Sequence, residues 1–351
     1  MNKVKVVMDE KIPYLRDALA GMGCCVVSLP GVDITKDTLA GAVALFVRTR
    51  TRCDAALLAG TSVRFIGTAT IGYDHIDTSY CEKNGIVWTN AAGCNAGAVL
   101  QYMQSVLYTW SKDNNCALRG LTLGVVGVGE IGSRVAAWAE SVGMRVLRND
   151  PPLEAEGAKG LAPLEEITTN SDIITFHPTL QRSGDYPSYH LASASFFESL
   201  RRCRLLVNAS RGPVVDNSAL LAALECGRLG CAVLDVWENE PDIDTRLLNK
   251  VYIATPHIAG YSVEGKLNAT RIVLESFAKF VNFKGALPSL ALPPLREPVY
   301  AASLPEALLS IYSPLKDSEE LKANPAMFEH LRNNYPLRRE PASYTLVLND
   351  K

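Results

Sequence analysis

The sequence predicts an α/β protein with two doubly wound parallel-sheet domains and a small third domain at the C-terminus. Three observations carry this. Short strand-like apolar runs alternate with helix-compatible segments from Val4 to about residue 257, the rhythm of βαβ units. One long helix-compatible segment, Asn95 to Lys112, breaks that rhythm into two halves. Composition then shifts near residue 285: the last 67 residues hold nine of the 19 prolines, and no glycine follows Gly285.

In the first half, Val4–Met8 reads as a strand, and Ile12–Met22 has helical spacing. Cys25–Leu29 is a strand closed by the Pro30-Gly31 turn, and Ala44–Val47 is a third buried strand. Asp54–Leu58 is helical, Phe65-Ile66 begins a fourth strand, and Gly85–Thr89 is a fifth. No glycine-rich turn follows the first strand, so this domain is not expected to hold a dinucleotide. The Asn95–Lys112 helix bridges the halves. Later strands are expected at Leu121–Val126, Met144–Leu147, Ile173–Phe176, Leu205–Asn208, Ala232–Asp235 and Val251–Ile253. The apolar helical run Lys266–Val281 returns to pack on the first domain. In the tail, Pro305–Leu309, Phe328–Asn333 and Tyr344–Leu348 read as short ordered elements, because their leucines and tyrosines do not suit a disordered segment.

The composition, 48% hydrophobic and 21% charged with a net charge of −2, is that of an ordinary globular protein. It gives no sign of nucleic-acid or membrane binding, and no apolar run reaches the length of a membrane span. The N-terminus is charged too soon for a signal peptide. Nine scattered cysteines, with neither C-x-x-C nor a His/Cys ligand spacing, point to a reducing cytoplasm and no metal site. Cys94 stands out among them because it precedes a helix start.

Chemistry enters with Gly127-Val-Gly129-Glu130-Ile131-Gly132, a G-x-G-x-x-G between a strand and a helix. The first glycine permits the turn, the second lets backbone approach a pyrophosphate, and the third lets the helix pack close to the strand. Asp150 ends the next strand 18 residues after Gly132, where an acid that binds ribose hydroxyls belongs. Its charge favours NAD over NADP, although Arg148 nearby points the other way. Three further segments follow later strands of the same sheet, where ligands of such sheets bind. Arg211 can grip a carboxylate in a bidentate fork, and His257 can take a hydroxyl proton as hydride leaves the same carbon. Glu240 can hold the far imidazole nitrogen. Singly, each has a plain reading as a turn residue, a loop end or a strand cap. Their shared place at the strand ends of one nucleotide-binding sheet favours chemistry.

These segments, Asn208-Ala209-Ser210-Arg211-Gly, Leu234-Asp235-Val-Trp-Glu-Asn-Glu240-Pro and Thr255-Pro-His257-Ile-Ala-Gly260-Tyr261 with the glycine run, resemble the D-isomer-specific 2-hydroxyacid dehydrogenases. The resemblance implies two Rossmann-like domains: a substrate domain of residues 1–95 and 261–284, and an NAD-binding domain of residues 96–260. Arg211, Glu240 and His257 would be catalytic. Gly127, Gly129, Glu130, Ile131, Gly132, Asp150, Pro178, Ala209, Ser210, Asp235 and Gly260 would contact NAD. Segments such as Phe65–His75 and Phe328–Arg339 match a branch that acts on a small phosphorylated 2-hydroxy acid. That match implies substrate contacts at Thr49, Thr70 and Tyr261, and a small α+β dimerisation domain over residues 285–351 that makes a homodimer. Arg48, Arg50 and Arg52 share one face if their segment stays extended, which would suit the phosphate; a solvated edge is the alternative. Arg338 and Arg339 are candidates to reach a partner subunit's site. The family's usual His-Thr-Pro-Leu is here His177-Pro178-Thr179-Leu180, which removes a threonine and an N–H from the expected cofactor contact. Two other readings remain: a relative acting on 3-phosphoglycerate or on glyoxylate and hydroxypyruvate, or a non-catalytic NAD(H)-sensing protein.

Overall fold

The expected strands of the first half form as β1 (Lys5–Asp9), β2 (Cys25–Leu29), β3 (Ala44–Val47), β4 (Phe65–Thr68) and β5 (Val87–Asn90) in a computed structural model. It describes residues 3–290, 292, 295 and 297–348. The strands pair in parallel in the order β2-β1-β3-β4-β5. β3 and β4 are buried along their whole length, as parallel strands covered on both faces must be. The order reverses at β1, which has β2 on one side and β3 on the other.

The helix Val263–Phe280 belongs to this unit and begins three residues before the predicted start at Lys266. Ser262 caps it by accepting from the Gly265 N–H at 2.8 Å. Its Phe277 ring lies 5.4 Å from both Phe46 and Phe65, so one aromatic cluster joins helix to sheet. The whole unit comprises Met1–Asn95 and Ser262–Pro294.

The second unit comprises Ala96–Tyr261 and Leu295–Lys351. Its sheet contains β6 (Thr122–Val126), β7 (Arg145–Asn149), β8 (Ile173–Phe176), β9 (Leu205–Asn208), β10 (Cys231–Leu234) and β11 (Ile253–Ala254). They are parallel in the order β11-β10-β9-β8-β6-β7, so the chain direction of build-up reverses at β6. The helix Ala96–Asp113 packs Tyr102, Met103, Val106 and Trp110 into a core shared with Val135, Ala136 and Ala139 of the helix Glu130–Ser141.

The C-terminal segment, expected as a small α+β domain, has a small sheet of its own and groups with the second unit. It holds a parallel pair, β12 (Val299–Ala301) and β13 (Leu346–Leu348), and the helices Leu304–Ile311, Pro314–Ala323 and Phe328–Asn333. Leu308 and Tyr312 enter the core under Ala96–Asp113, while Leu321 and Phe328 enter the core on the other side of the sheet. Two of its prolines, Pro305 and Pro314, sit in first helical turns, where a missing N–H costs nothing.

Arg338 fastens this segment down. It is 9% exposed, which excludes the expected reach toward a partner's site. Its Nε donates to Gln101 Oε1 at 2.9 Å, and Nη1 donates to the Ile258 carbonyl at 3.0 Å. Nη2 donates to the carbonyls of Ala98 (3.1 Å) and Ala259. The guanidinium also lies 4.3 Å from the centre of the Tyr312 ring. Arg338→Met therefore leaves several buried acceptors without a donor. Denaturant unfolding should show a loss of about 3–5 kcal/mol, and Arg338→Lys should recover less than half of it, since an ammonium cannot reproduce the planar fork.

Candidate active site

The glycine turn leaves β6 where the sheet order reverses, the usual ligand position in such sheets. Gly127 has φ +85°, and a Cβ there would stand 2.5 Å from the Pro178 nitrogen. At Gly132 a Cβ would run into the Gly127 carbonyl. Both glycines are thus required by the protein's own packing. Gly129 differs: a Cβ there would meet nothing within 4 Å. It precedes the first turn of Glu130–Ser141, so a free space lies beside the N–H groups of a twelve-residue helix. The Val128 N–H donates to Asp150 Oδ2 at 2.7 Å, which brings the acid expected at the ribose onto this turn. Arg148 is held by Glu140 at 2.8 Å, so its charge is already matched. These residues fit a dinucleotide, with Glu130 and Ile131 in the helix's first turn.

At the end of β8, Pro178 faces Gly127 with its backbone. His177 beside it is half-buried, and desolvation of the ring pushes its imidazole down to about 3, so the ring is neutral. Its Nε2 bonds Thr175 Oγ1 at 3.0 Å, while Nδ1 has no partner among the described residues.

The end of β9 is folded back by Asn208. Its Oδ1 accepts from the Ser210 N–H (3.1 Å) and hydroxyl (2.8 Å), and its Nδ2 donates to the Arg211 carbonyl at 3.0 Å. Arg211 spends one nitrogen on the Ser210 carbonyl at 2.8 Å and is partly exposed. Gly212 then meets the β10 loop backbone to backbone, since a Cβ there would strike the carbonyl of Trp237. Ala209 and Ser210 are buried in this turn.

On the β10 loop, Glu240 Oε1 accepts from the Trp237 N–H at 2.9 Å, and Oε2 accepts from His257 Nδ1 at 2.8 Å. Burial by itself would raise the Glu240 carboxyl. The hydrogen bond and charge of His257, the Trp237 N–H and Arg332 together bring it below its ordinary value. An ionised carboxylate only accepts, so Nδ1 carries the ring proton and Nε2 presents a lone pair. His257 is 25% exposed at its side chain and has φ +59°.

Asp235 produces that conformation. It is 1% exposed, and its carboxylate accepts from Thr255 Oγ1 (2.7 Å), the Ile258 N–H (2.8 Å) and the Ala259 N–H (2.9 Å). Expected among the cofactor contacts, Asp235 lies beneath the 255–259 segment. Gly260 and Tyr261 continue from that segment.

Sequence reasoning missed Arg332. Its Nη1 lies 3.6 Å from Glu240 Oε2, and it also hydrogen-bonds Tyr261. Nothing local marks it, because its partners are brought to it only by the fold of the C-terminal segment. A second cluster also escaped notice: His190, Asp216 and Glu238 bring ligand-type atoms within 4.8 Å of one another. His190 Nε2 bonds Glu238 Oε1 at 2.7 Å, and the Asn217 N–H donates to Glu238 Oε2 at 2.9 Å, which clamps three loops together.

In the first unit, Arg48 ends β3 beside the reversal point and bonds the buried Asp9 at 3.1 Å. The expected comb of arginines does not form, because residues 49–51 turn instead of staying extended. Arg52 pairs with Asp54 at 2.9 Å. Thr49 is exposed. The Thr70 hydroxyl bonds Thr68 Oγ1 at 2.7 Å, which in turn bonds His75 Nε2 at 2.9 Å. Cys94 is buried, and no disulfide forms among the described cysteines.

Residues 97–259 match the family described as D-isomer specific 2-hydroxyacid dehydrogenase, NAD binding domain. An erythronate-4-phosphate dehydrogenase of Bacteroides fragilis is 48% identical over 98% of this chain and 99% of its own. One of Bacteroides thetaiotaomicron is 47% identical with the same coverage. The NAD+-bound 3-phosphoglycerate dehydrogenase of Entamoeba histolytica has the same fold, with a TM-score of 0.66 at 22% identity over 80% of this chain and 96% of that one. The matched family model is an NAD-binding domain, so NAD is the cofactor of this domain.

The three glycine environments make separable expectations. Gly129→Ala places a methyl in the free space, so the KM for NAD should rise at least about tenfold with an unchanged melting temperature. Gly212→Ala pushes apart the backbones that carry Arg211 and Glu240, so kcat should fall at least about tenfold. Steady-state kinetics and thermal melts of the two variants check both.

Proposed function

We infer the reaction from one premise: the chain belongs to the D-isomer specific 2-hydroxyacid dehydrogenase family, among the erythronate-4-phosphate dehydrogenases. It is an NAD-dependent enzyme that oxidises the 2-hydroxyl of 4-phospho-D-erythronate, giving 2-oxo-3-hydroxy-4-phosphobutanoate in the route to pyridoxal 5'-phosphate. The observation that supports this chemistry most directly is the Glu240–His257 pair, with Nδ1 committed to a carboxylate at 2.8 Å and Nε2 left for substrate.

NAD, when bound beside Gly127–Gly132 and Asp150, supplies the hydride acceptor. The protein's own part is proton transfer and orientation. His257 Nε2 takes the hydroxyl proton, and Glu240 stabilises the imidazolium that results. Arg211 has N–H groups left over from its Ser210 bond to hold the substrate carboxylate and polarise the oxygen next to it. Arg48, Thr49, Thr70 and Tyr261 are the substrate contacts of this reading.

The second unit's C-terminal segment is assigned to a homodimer. Tyr300 is 69% exposed, and Leu304 and Leu348 stand out beside it around the short β12–β13 sheet, an apolar group whose burial a second copy would provide. Nine cysteines without a disulfide among the described residues support a cytoplasmic setting. No helix among the described residues is long and apolar enough to cross a membrane.

Purified enzyme should reduce NAD with 4-phospho-D-erythronate and prefer it to 3-phospho-D-glycerate and glycerate. A reversed preference overturns the substrate. His257→Gln and Arg211→Ala should each lower kcat/KM by about 10²-fold or more, and near-wild-type turnover in both would sink the mechanism. By sedimentation the protein should be a dimer, and Tyr300→Glu with Leu348→Glu should make it a monomer.

A further inference from the structure

The helix Phe328–Asn333 brings a cation to the catalytic pair. Phe328 is fully buried and Leu331 packs on the same core, so the helix has one fixed orientation. Arg332 then projects toward Glu240, its Nη1 3.6 Å from Oε2, the oxygen that also accepts from His257 Nδ1 at 2.8 Å. The same guanidinium hydrogen-bonds Tyr261, whose ring stands edge-on to Tyr335 at 6.1 Å and 70°. One carboxylate oxygen is therefore shared by an imidazole and a guanidinium.

We propose that Arg332 is a positioning residue for the His257–Glu240 pair: it keeps the Glu240 carboxylate ionised and aimed, and it limits how firmly the imidazole holds the proton taken from substrate. The proposal rests on the reaction assigned above. Glu240 is an anion 2.8 Å from the ring nitrogen in a partly buried site, and its charge attracts the imidazolium. The buried Asp235 adds to that attraction. Arg332 opposes both. The other charged or titratable groups facing this arrangement are Tyr261 and Glu329 around the guanidinium and Tyr335 behind Tyr261. A base held between opposed charges both accepts the proton and gives it up, as a reaction that runs in either direction requires.

The signature is a displaced pH profile. In the oxidative direction His257 must begin neutral, so kcat/KM rises with pH along an acid limb. Removing the cation in Arg332→Met should move that limb upward by about half to one pH unit. In the reductive direction the imidazole must begin protonated, and the basic limb should move upward by the same amount. Arg332→Lys should restore both limbs most of the way. A merely structural role would lower kcat/KM equally at every pH, so a profile of unchanged shape in Arg332→Met overturns the proposal. A Lys variant displaced as far as the Met variant overturns it too. If Arg332→Met does not fold, Arg332→Gln carries the same test. Should the wild-type enzyme fail to oxidise 4-phospho-D-erythronate, the reaction reading falls by itself. The NMR titration of the His257 ring in the enzyme–NAD complex then decides the role of Arg332: an upward move of the midpoint in the Met variant upholds it, and an unmoved midpoint overturns it.

Discussion

Two peptide groups, those of Ile258 and Ala259, are gripped from opposite sides, and the geometry of the catalytic base follows from that grip. Their N–H groups donate to the Asp235 carboxylate, and their carbonyls accept from the Arg338 guanidinium. His257, next to them, is held at φ +59°, which costs an L-residue about 1–2 kcal/mol. Buried charge-assisted bonds can offset that cost; solvent-exposed ones would not. Burial raises the Asp235 carboxyl, and the charge of His257 with the Thr255, Ala259 and Ile258 bonds pulls against it. The ion and its counter-ion thus meet through the backbone of the loop they shape, not through direct contact.

The other strand ends are placed by close contact of backbones rather than by side-chain packing. Gly127 meets the His177–Pro178 peptide, and Gly212 meets the carbonyl of Trp237. Each contact joins two strand ends, so the glycine turn, Arg211 and Glu240 share one rigid frame. The exchange of threonine and proline at 178–179 falls inside this frame. Pro178 brings no N–H, but its ring nitrogen is the atom that faces Gly127, so the close approach survives.

Much of this was legible in the sequence. β3, β8 and β9 begin and end where expected, because strands buried on both faces are nearly all apolar and turn residues bound them. Arg211, Glu240 and His257 were legible for a related reason: each stands a few residues past such a run, where the sheet delivers it to the ligand face. The arginine comb misled because alternation implies a common face only in extended chain, and residues 49–51 turn. The helices Leu304–Ile311 and Pro314–Ala323 are hard to delimit in a proline-dense stretch, because only the fold shows that Pro305 and Pro314 lie in first turns. Arg338 and Arg332 were the least legible. An arginine in a polar stretch looks solvent-borne, and only the fold of the whole tail shows that Arg338 is buried and Arg332 lies near Glu240.

The tail therefore has a chemical reason to belong to the second unit. A Rossmann-like sheet delivers Arg211, Glu240 and His257 to its ligand edge, but a left-handed histidine beside an anion needs a cation for its loop carbonyls and another to temper the carboxylate. Both cations found there come from outside the sheet's own loops. Arg338 answers the first need and Arg332 the second, and both come from the same stretch after Phe328. That stretch is anchored by a fully buried phenylalanine in the sheet's own core, so the two cations are positioned by the packing that stabilises the unit. Folding of the tail and tuning of the base are on this account one event, which is why a segment that reads as an appendage in sequence is built into the catalytic unit in structure.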